Sequence, residues 1–230
     1  MKLVGEIVGR DGRKPNPELI KAIKRWPPIE NLKMLQEFLG TANYAKPHAG
    51  PAYARHAAPL RLLLKPNAVW PMNASQLAAI EALKGALEES HVLQVPDEAA
   101  AIGAASAWLA GLPPTGRAYE VGADGCGYAV GGVFGQASAS SKTLVVLMYF
   151  SAHLSGSQQN WHPFEQALWA VVGLRRASVL QFGPIPAVLF TDHANVARLQ
   201  AFPLARIDRS ISGGTQKWLP GALKWSIAQG

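Results

Sequence analysis

The order of secondary-structure signals in residues 117–192 constrains the fold of this chain most strongly. Three apolar segments separated by Gly- and Ser-rich turns come first, and each has the composition of a β-strand. A segment with apolar residues at helical spacing follows, PFEQALWAVVGLRRASVLQF (163–182), and then a fourth strand, PAVLFTD (186–192). Three strands, a long helix and a further strand predict an α/β domain with a mixed sheet.

Two of the predicted strands end on an aspartate. Asp124 ends the strand RAYEVGAD, and Asp192 ends PAVLFTD. Aspartate is a poor strand residue, and burying its charge is costly unless a partner compensates it. Asp124, with Gly125 after it, is by itself equally typical of a residue that opens a turn. Because ligand sites in such sheets lie at strand ends, the pair favours a metal site.

A small helical module is predicted in residues 13–90, after a short strand at 3–9. Asn16 is typical of a helix N-cap and Pro17 of the first helical position. That helix is predicted to run to Trp26. Two further segments, NLKMLQEFLGTANYA and SQLAAIEALKGALEES, carry apolar residues on one helical face.

The composition changes again between the helical module and the strands. We therefore divide the chain into a helical module (1–95), an Ala-rich insertion and linker (96–116) and a mixed-sheet domain (117–230). The Ala-rich segment 98–112 predicts either an extra core helix or an exposed apolar face that contacts a partner protein.

Positive charge is concentrated at the start of the chain. Residues 1–65 contain twelve Lys and Arg against five Asp and Glu, whereas residues 66–230 contain ten of each. Such a segment suits a polyanion such as nucleic acid, or it is a solvated surface. The candidate nucleic-acid contacts on the first helix are Lys21, Lys24 and Arg25.

Several protein classes are excluded by composition. The single cysteine, Cys126, excludes an internal disulfide and a cysteine-rich zinc site. No apolar run reaches the roughly 20 residues of a membrane helix, and no signal-peptide pattern is present. We expect an intracellular protein that is not an integral membrane protein.

Four segments then occur in a characteristic order. They are GRKPNPELIKAIKRWPPIENLKMLQEFLGTANYAKPHAGPAYARHAAPLRLLLK, YEVGADGCGYAVGGVFGQ, YFSAHLSGSQQNWHPFEQALWAVV and LFTDHANVARL. In this order they resemble the C-terminal part of the reverse transcriptase of gypsy-type LTR retrotransposons. The first resembles the connection- or thumb-like region after the polymerase palm, and the others the tethered ribonuclease H domain. The resemblance implies a small helical module followed by an incomplete ribonuclease H-like mixed sheet with flanking helices.

The resemblance also implies a chemistry. Ribonuclease H cleaves the RNA of an RNA–DNA hybrid with two Mg²⁺ ions held by four carboxylates. Asp124 matches the first of these acids, and Asp192, in the TDH motif, matches the third. His193 in the same motif is either a substrate contact or a polar cap on the strand end. The paired polymerase aspartates would lie before residue 1, so the resemblance implies no DNA synthesis by this chain.

The chain departs from the family pattern at the other two acids. Ala167 stands where the second acid is expected, and Ala228 where the fourth is expected. Glu165 precedes position 167 by two residues, about 200° around a helix, and is predicted to face away. Glu165 or Asp208 would have to substitute for the missing ligands. The stretch 199–218 is shorter than in the family, which predicts a degraded C-terminus.

Two function classes follow from these departures. The first is an active ribonuclease H that uses Mg²⁺. The second is a catalytically inactive binding or structural module within a larger assembly. It would bind RNA or DNA weakly and contact protein partners through 98–112 and the C-terminal tail. The loss of two metal ligands favours the second class, because each ligand of a two-metal site stabilises the transition state.

Overall fold

The computed structural model describes residues 2–3, 6–9, 12–50, 52–112, 116–139, 143–191, 196 and 226–227. The chain divides into two compact units. The first comprises Met1–Val95 with Leu147–His153, and the second comprises Pro96–Val146 with Leu154–Gly230. Within the described residues, no helix has both the length and the apolar character needed to cross a membrane.

The first unit contains a small antiparallel sheet followed by helices. Its elements are β1 (Lys2–Leu3), β2 (Glu6–Gly9), β3 (Gly12–Pro15), α1 (Pro17–Lys24), α2 (Leu32–Ala45), the 3-10 turn η1 (Lys46–His48), α3 (Ala52–Leu62) and α4 (Ala74–Glu88). The single strand predicted at 3–9 is therefore two strands, and β3 pairs with β2 from Glu6 opposite Pro15 to Gly9 opposite Gly12. Gly12 has φ +114°, and a Cβ there would lie 2.3 Å from the Leu93 carbonyl oxygen, so the position requires glycine.

The helices of the first unit follow the predicted pattern with one addition. Asn16 caps α1 by accepting a hydrogen bond from the Glu18 N–H at 3.1 Å, as predicted, although α1 ends at Lys24 rather than at Trp26. The helix α3, which contains Pro59, was not predicted. The helices share one apolar core, whose fully buried members include Leu35, Phe38, Leu60, Leu83 and Leu87.

A buried histidine side chain links η1 to β2. The imidazole of His48 is fully buried, and its Nε2 lies 2.8 Å from Glu6 Oε1 while its Nδ1 lies 3.1 Å from the His91 carbonyl oxygen. Arg13 lies 3.6 Å from the other oxygen of Glu6. Both ring nitrogens of the buried His48 therefore have an oxygen within hydrogen-bond distance.

The second unit is built around a mixed sheet. Its elements are α5 (Glu98–Leu109), β4 (Tyr119–Cys126), β5 (Ala129–Ala137), β6 (Leu144–His153, whose last seven residues group with the first unit), α6 (Gly156–Gln159), α7 (Pro163–Phe182), β7 (Ala187–Phe190) and β8 (Ser226–Ile227). The strand order is β6-β5-β4-β7-β8. β4 is antiparallel to β5 and parallel to β7, which is itself parallel to β8. The predicted α/β fold with a mixed sheet is confirmed, and β8 is an addition to it.

The helix α7 has the predicted bounds and packs on β4 and β5. The approach is close because glycine lies beneath the helix. A Cβ built on Gly132 would lie 2.8 Å from Leu174 Cδ2 and 2.6 Å from the Gly122 carbonyl oxygen. Because Gly132 has no side chain, α7 can pack this close to the sheet.

The Ala-rich segment forms α5, and its two faces differ. Asp97 caps it by accepting a hydrogen bond from the Ala100 N–H at 3.0 Å. Small residues face the interior: Ala101, Ala104 and Ala105 are buried. Large apolar residues remain exposed: Ile102, Leu109 and Leu112. The segment thus contributes core residues and also presents apolar surface.

Candidate functional site

The carboxylate of Asp124 is exposed near the end of β4. It lies opposite Gly131 of β5, and its Oδ1 accepts a hydrogen bond from the N–H of Gly125 at 2.7 Å. One oxygen is therefore held by the backbone, as in a turn residue, while the side chain still faces solvent. This position is compatible with both interpretations of Asp124, a metal ligand or a local backbone cap.

The strand that precedes Asp192 lies beside β4. β4 and β7 are parallel neighbours, with Tyr119 paired to Ala187 and Gly122 paired to Phe190. Asp124 follows Gly122 by two residues, and Asp192 follows Phe190 by the same number. Asp192 and His193 themselves lie outside the described residues, as do Asp208 and Ala228. Their roles stay predictions.

The position expected to hold the second acid lies next to this strand end. A Cβ built on Gly125 would be 3.3 Å from both the carbonyl carbon and the oxygen of Gln166, in the peptide that joins it to Ala167. Ala167 is only 5% exposed. The backbone of α7 thus passes close to Gly125 at Gln166, the residue directly before Ala167.

Glu165 has a different partner. Its Oε2 accepts a hydrogen bond from the backbone N–H of His162 at 3.0 Å, and His162 Nδ1 accepts from the Phe164 N–H at 3.2 Å. These two bonds form a capping box at the start of α7. The carboxylate that was considered as a substitute ligand is therefore bound to the end of its own helix.

The described residues do not match the donor set of a two-Mg²⁺ site. Hard divalent ions require several oxygen ligands that converge on one point. Across the described part of the chain, no group of three or more His, Cys, Asp or Glu side chains is placed to hold an ion. Asp124 is the only predicted ligand within that part, so we derive no catalytic step through a metal.

The three cations predicted to contact nucleic acid are only partly free. Lys21 Nζ lies 3.1 Å from Glu18 Oε1, and Lys24 is paired with Glu88 of α4. Arg25, directly after α1, is exposed. Since two of these charges are balanced by carboxylates, the surface of α1 is less cationic than the sequence alone indicates.

A second group of basic side chains in the first unit was not predicted. We call Lys46, Arg61, Lys65 and His153 the Arg61 cluster. Burial, and then the nearby Arg61 guanidinium, lower the pKa of Lys46. Burial, followed by Arg61 and Lys65, lowers the pKa of His153. One sequence signal for this cluster is that Arg61 and Lys65 are four residues apart, about one helical turn. It was missed because Pro59 argued against a helix in this segment.

Comparison with known proteins identifies relatives of both the sequence and the fold. Residues 115–219 match the RNase H-like domain found in reverse transcriptase. The Tf2-3 and Tf2-4 transposon polyproteins of Schizosaccharomyces pombe are each 28% identical to the chain over 198 residues. That match covers 85% of this chain and spans 13% of the length of each polyprotein.

Solved structures show the same fold. One is a foamy viral protease-reverse transcriptase in complex with an RNA/DNA hybrid, with a TM-score of 0.69 and 13% identity. A second, the dRH form in complex with double-stranded DNA, has a TM-score of 0.71 and 16% identity. Both matches cover all of this chain, and they cover 29% and 38% of the viral chains.

The motif order, the mixed sheet and these matches agree with one another. The resemblance inferred from the sequence is confirmed: residues 115–219 match the RNase H-like domain found in reverse transcriptase, and the chain is similar to polyproteins of gypsy-type LTR retrotransposons.

Proposed function

We propose that the chain is a retroelement-derived reverse transcriptase/ribonuclease H-like module that binds partners and does not cleave RNA–DNA hybrids. One observation carries this proposal. The backbone of α7 approaches Gly125, the residue after Asp124, at the carbonyl of Gln166, and the next residue, Ala167, is buried and carries no carboxylate. Glu165, the nearest acid on the same helix, caps that helix instead.

The missing ligands matter because of charge. Two divalent cations a few ångströms apart repel each other strongly and are held together only by several carboxylates. With alanine at 167 and at 228, Asp124 and Asp192 would supply two. We therefore infer that a pair of Mg²⁺ ions would not be retained, and that the module needs no cofactor.

Nucleic-acid affinity is the second part of the proposal. The net charge of +7 resides in residues 1–65, and the two viral structures of similar fold are complexes with a hybrid and with duplex DNA. We propose weak, sequence-independent binding to RNA or DNA that is electrostatic and falls steeply with salt, because phosphate contacts release counterions.

Protein partners are the third part. The exposed apolar side chains of the Ala-rich segment, Ile102 and Leu109 of α5 and Leu112 after it, form the surface that we propose for contact within a larger assembly, together with the C-terminal tail. The double change Ile102→Ser and Leu109→Ser should release a specific partner that co-purifies with the native protein. Retention of that partner by the variant would remove α5 from the proposal.

An active ribonuclease H is the alternative, and one observation favours it. Asp124 and Asp192 follow the last paired residues of β4 and β7 by equal numbers, so a continued register would place them side by side. In this case Asp208 would have to act as a further ligand, Mg²⁺ would be the cofactor, and His193 would touch the substrate.

Electron paramagnetic resonance with Mn²⁺ distinguishes the two functions. The proposal predicts at most one weakly bound ion per chain, and Asp124→Asn should abolish that binding. Glu18→Gln, which changes an exposed acid far along the sequence, is the matched control. A pair of spin-coupled Mn²⁺ ions bound to the unmodified chain would favour the active enzyme.

A further inference from the structure

The Arg61 cluster brings cations together around a buried tyrosine. Tyr53 is almost fully buried in α3, and the Lys46 ammonium lies 5.9 Å from the centre of its ring. Burial raises the pKa of the Tyr53 hydroxyl, and the adjacent Arg61 partly offsets that increase. A lysine and an arginine from two different elements, η1 and α3, thus approach the same aromatic side chain.

Two more basic groups extend the cluster. Lys65 follows the end of α3, and His153 is the last residue of β6, in the part that groups with the first unit. Arg61 acts electrostatically on both Lys46 and His153, and Lys65 acts on His153 as well. Arg61 is therefore the centre of a set of basic side chains drawn from three elements and the segment after α3.

Within the described residues, no carboxylate forms an ion pair with the Lys and Arg side chains of this cluster. The ion pairs of the described residues use the carboxylates of Glu6, Glu18, Glu81, Glu88 and Asp97. None of these pairs involves Lys46, Arg61 or Lys65. On α1, by contrast, Lys21 and Lys24 are both paired with carboxylates. Like charges held close together destabilise the fold unless an anion compensates them.

We propose that the Arg61 cluster is a phosphate-binding site for the sugar–phosphate backbone of a nucleic acid. The fork of Arg61 can donate two parallel hydrogen bonds to phosphate oxygens, while Lys46 and Lys65 contribute point charges on either side. Partial burial of Lys46 and Arg61 protects the interaction from screening. A nucleic-acid strand carries a row of phosphodiester groups, so it can contact several of these side chains at once, whereas a single anion cannot.

The inference rests on the proposed affinity for nucleic acid and names the residues responsible for it. The test uses the full chain and fluorescence anisotropy with a short RNA–DNA hybrid. One variant neutralises the cluster (Lys46→Gln, Arg61→Gln and Lys65→Gln), and the matched control removes the same charge from α1 (Lys21→Gln, Lys24→Gln and Arg25→Gln).

The cluster variant should lose about tenfold or more in affinity at about 100 mM salt. Its slope of log affinity against log salt should become shallower by about 2 to 3, one contact per lost charge. The control should lose about threefold or less. Equal losses in both variants would overturn the inference but leave the proposed affinity intact, whereas no binding by the unmodified chain would overturn both.

A measurement on the unmodified chain does not depend on how the variants fold. Phosphate bound to the cluster would offset the charges of Arg61 and Lys65, so the hybrid should raise the pKa of His153. NMR titration of the imidazole, assigned with His153→Gln, reports this change. Inorganic phosphate at the same phosphate concentration is the second arm. A pKa that the hybrid leaves unchanged, or that free phosphate raises equally, would overturn the inference.

Discussion

At the scale of single residues, neighbouring positions on α7 have unrelated roles. Glu165 and Ala167 are two residues apart, yet the first binds the backbone at the start of the helix and the second is buried directly after the Gln166 carbonyl that approaches Gly125. The helical rotation of about 200° between them explains why an acid at one position does not replace an acid at the other.

Substitutions at Glu165 separate a capping role from a metal-binding role. Glutamine retains the oxygen that accepts from His162 N–H, so Glu165→Gln should unfold at nearly the wild-type denaturant concentration. Glu165→Ala should lose about 0.5–1 kcal/mol of unfolding free energy, because the cap is lost. Both should bind Mn²⁺ as the unmodified chain does. Loss of Mn²⁺ binding in Glu165→Gln alone would show that the carboxylate is a ligand.

Glu6 should make the stability of the first unit dependent on pH. The hydrogen bond from His48 holds the pKa of Glu6 below its ordinary value of 4.5, aided by the charge of Arg13, although burial acts in the opposite direction. A carboxyl with a lowered pKa stabilises the fold fully above pH 4.5, and that contribution is lost as the pH falls through the folded-state pKa.

Glu6→Gln tests this dependence by urea unfolding at a series of pH values. The variant should be less stable near neutral pH by about 1–3 kcal/mol, since it removes the carboxylate that is hydrogen-bonded to the buried imidazole of His48. Its stability should also fall less than that of the wild type below pH 4.5. Glu18→Gln, in an exposed pair with Lys21, is the control and should change little. Parallel pH profiles for Glu6→Gln and the wild type would contradict the argument.

At the scale of elements, the contact between α7 and the sheet is tightest at one glycine, Gly132. A Cβ on Gly132 would meet the Gly122 carbonyl oxygen at 2.6 Å and Leu174 Cδ2 at 2.8 Å, whereas a Cβ on Gly122 would meet only Val133 Cγ1 at 3.9 Å. Gly132→Ala should therefore cost about 1–3 kcal/mol through overpacking, and Gly122→Ala should change stability by about 0.5 kcal/mol or less. Thermal unfolding of the two variants checks this, and equal costs would show that the helix can move away from the sheet.

The elements that the sequence predicted share a property: their signal is local. The helix α7 has apolar residues at regular spacing and a proline at its first position, and β4 and β5 flank a short turn. The helix α3 was missed because Pro59 lies inside it, and proline normally ends a helix. The strand β3 was not predicted, because its four residues have no strand-like composition and only their pairing with β2 identifies them.

Several features of the site depend on side-chain partners that are distant in the sequence. Lys24 is paired with Glu88, 64 residues away, so counting charges on α1 overestimated its free positive charge. Lys46, Arg61 and His153 come from separate elements that only the folded chain brings together. The strand predicted to end on Asp124 was a local feature, and the structure extends it by two residues, to Cys126, because Gly125 and Cys126 still pair with β5.

At the scale of the whole molecule, restoring the missing acids should matter only in combination. Ala167→Glu alone should recover little hydrolysis of a hybrid, because a second metal would still lack a ligand. It should also destabilise the fold by about 1–3 kcal/mol, since position 167 is buried and the new carboxylate would lack a partner. The double change Ala167→Glu and Ala228→Asp should recover measurable cleavage. Full activity from the single change would show that only one ligand was missing.

The central claim is that this relative of reverse transcriptases binds nucleic acid without cutting it. Its most direct test is incubation of the purified chain with a labelled RNA–DNA hybrid in Mg²⁺ or Mn²⁺, with product length and bound fraction measured on the same sample. We predict a hybrid that is bound at low salt and remains intact. Cleavage of the RNA strand by the unmodified chain, lost in Asp124→Asn, would contradict the claim and show that another acid completes the site.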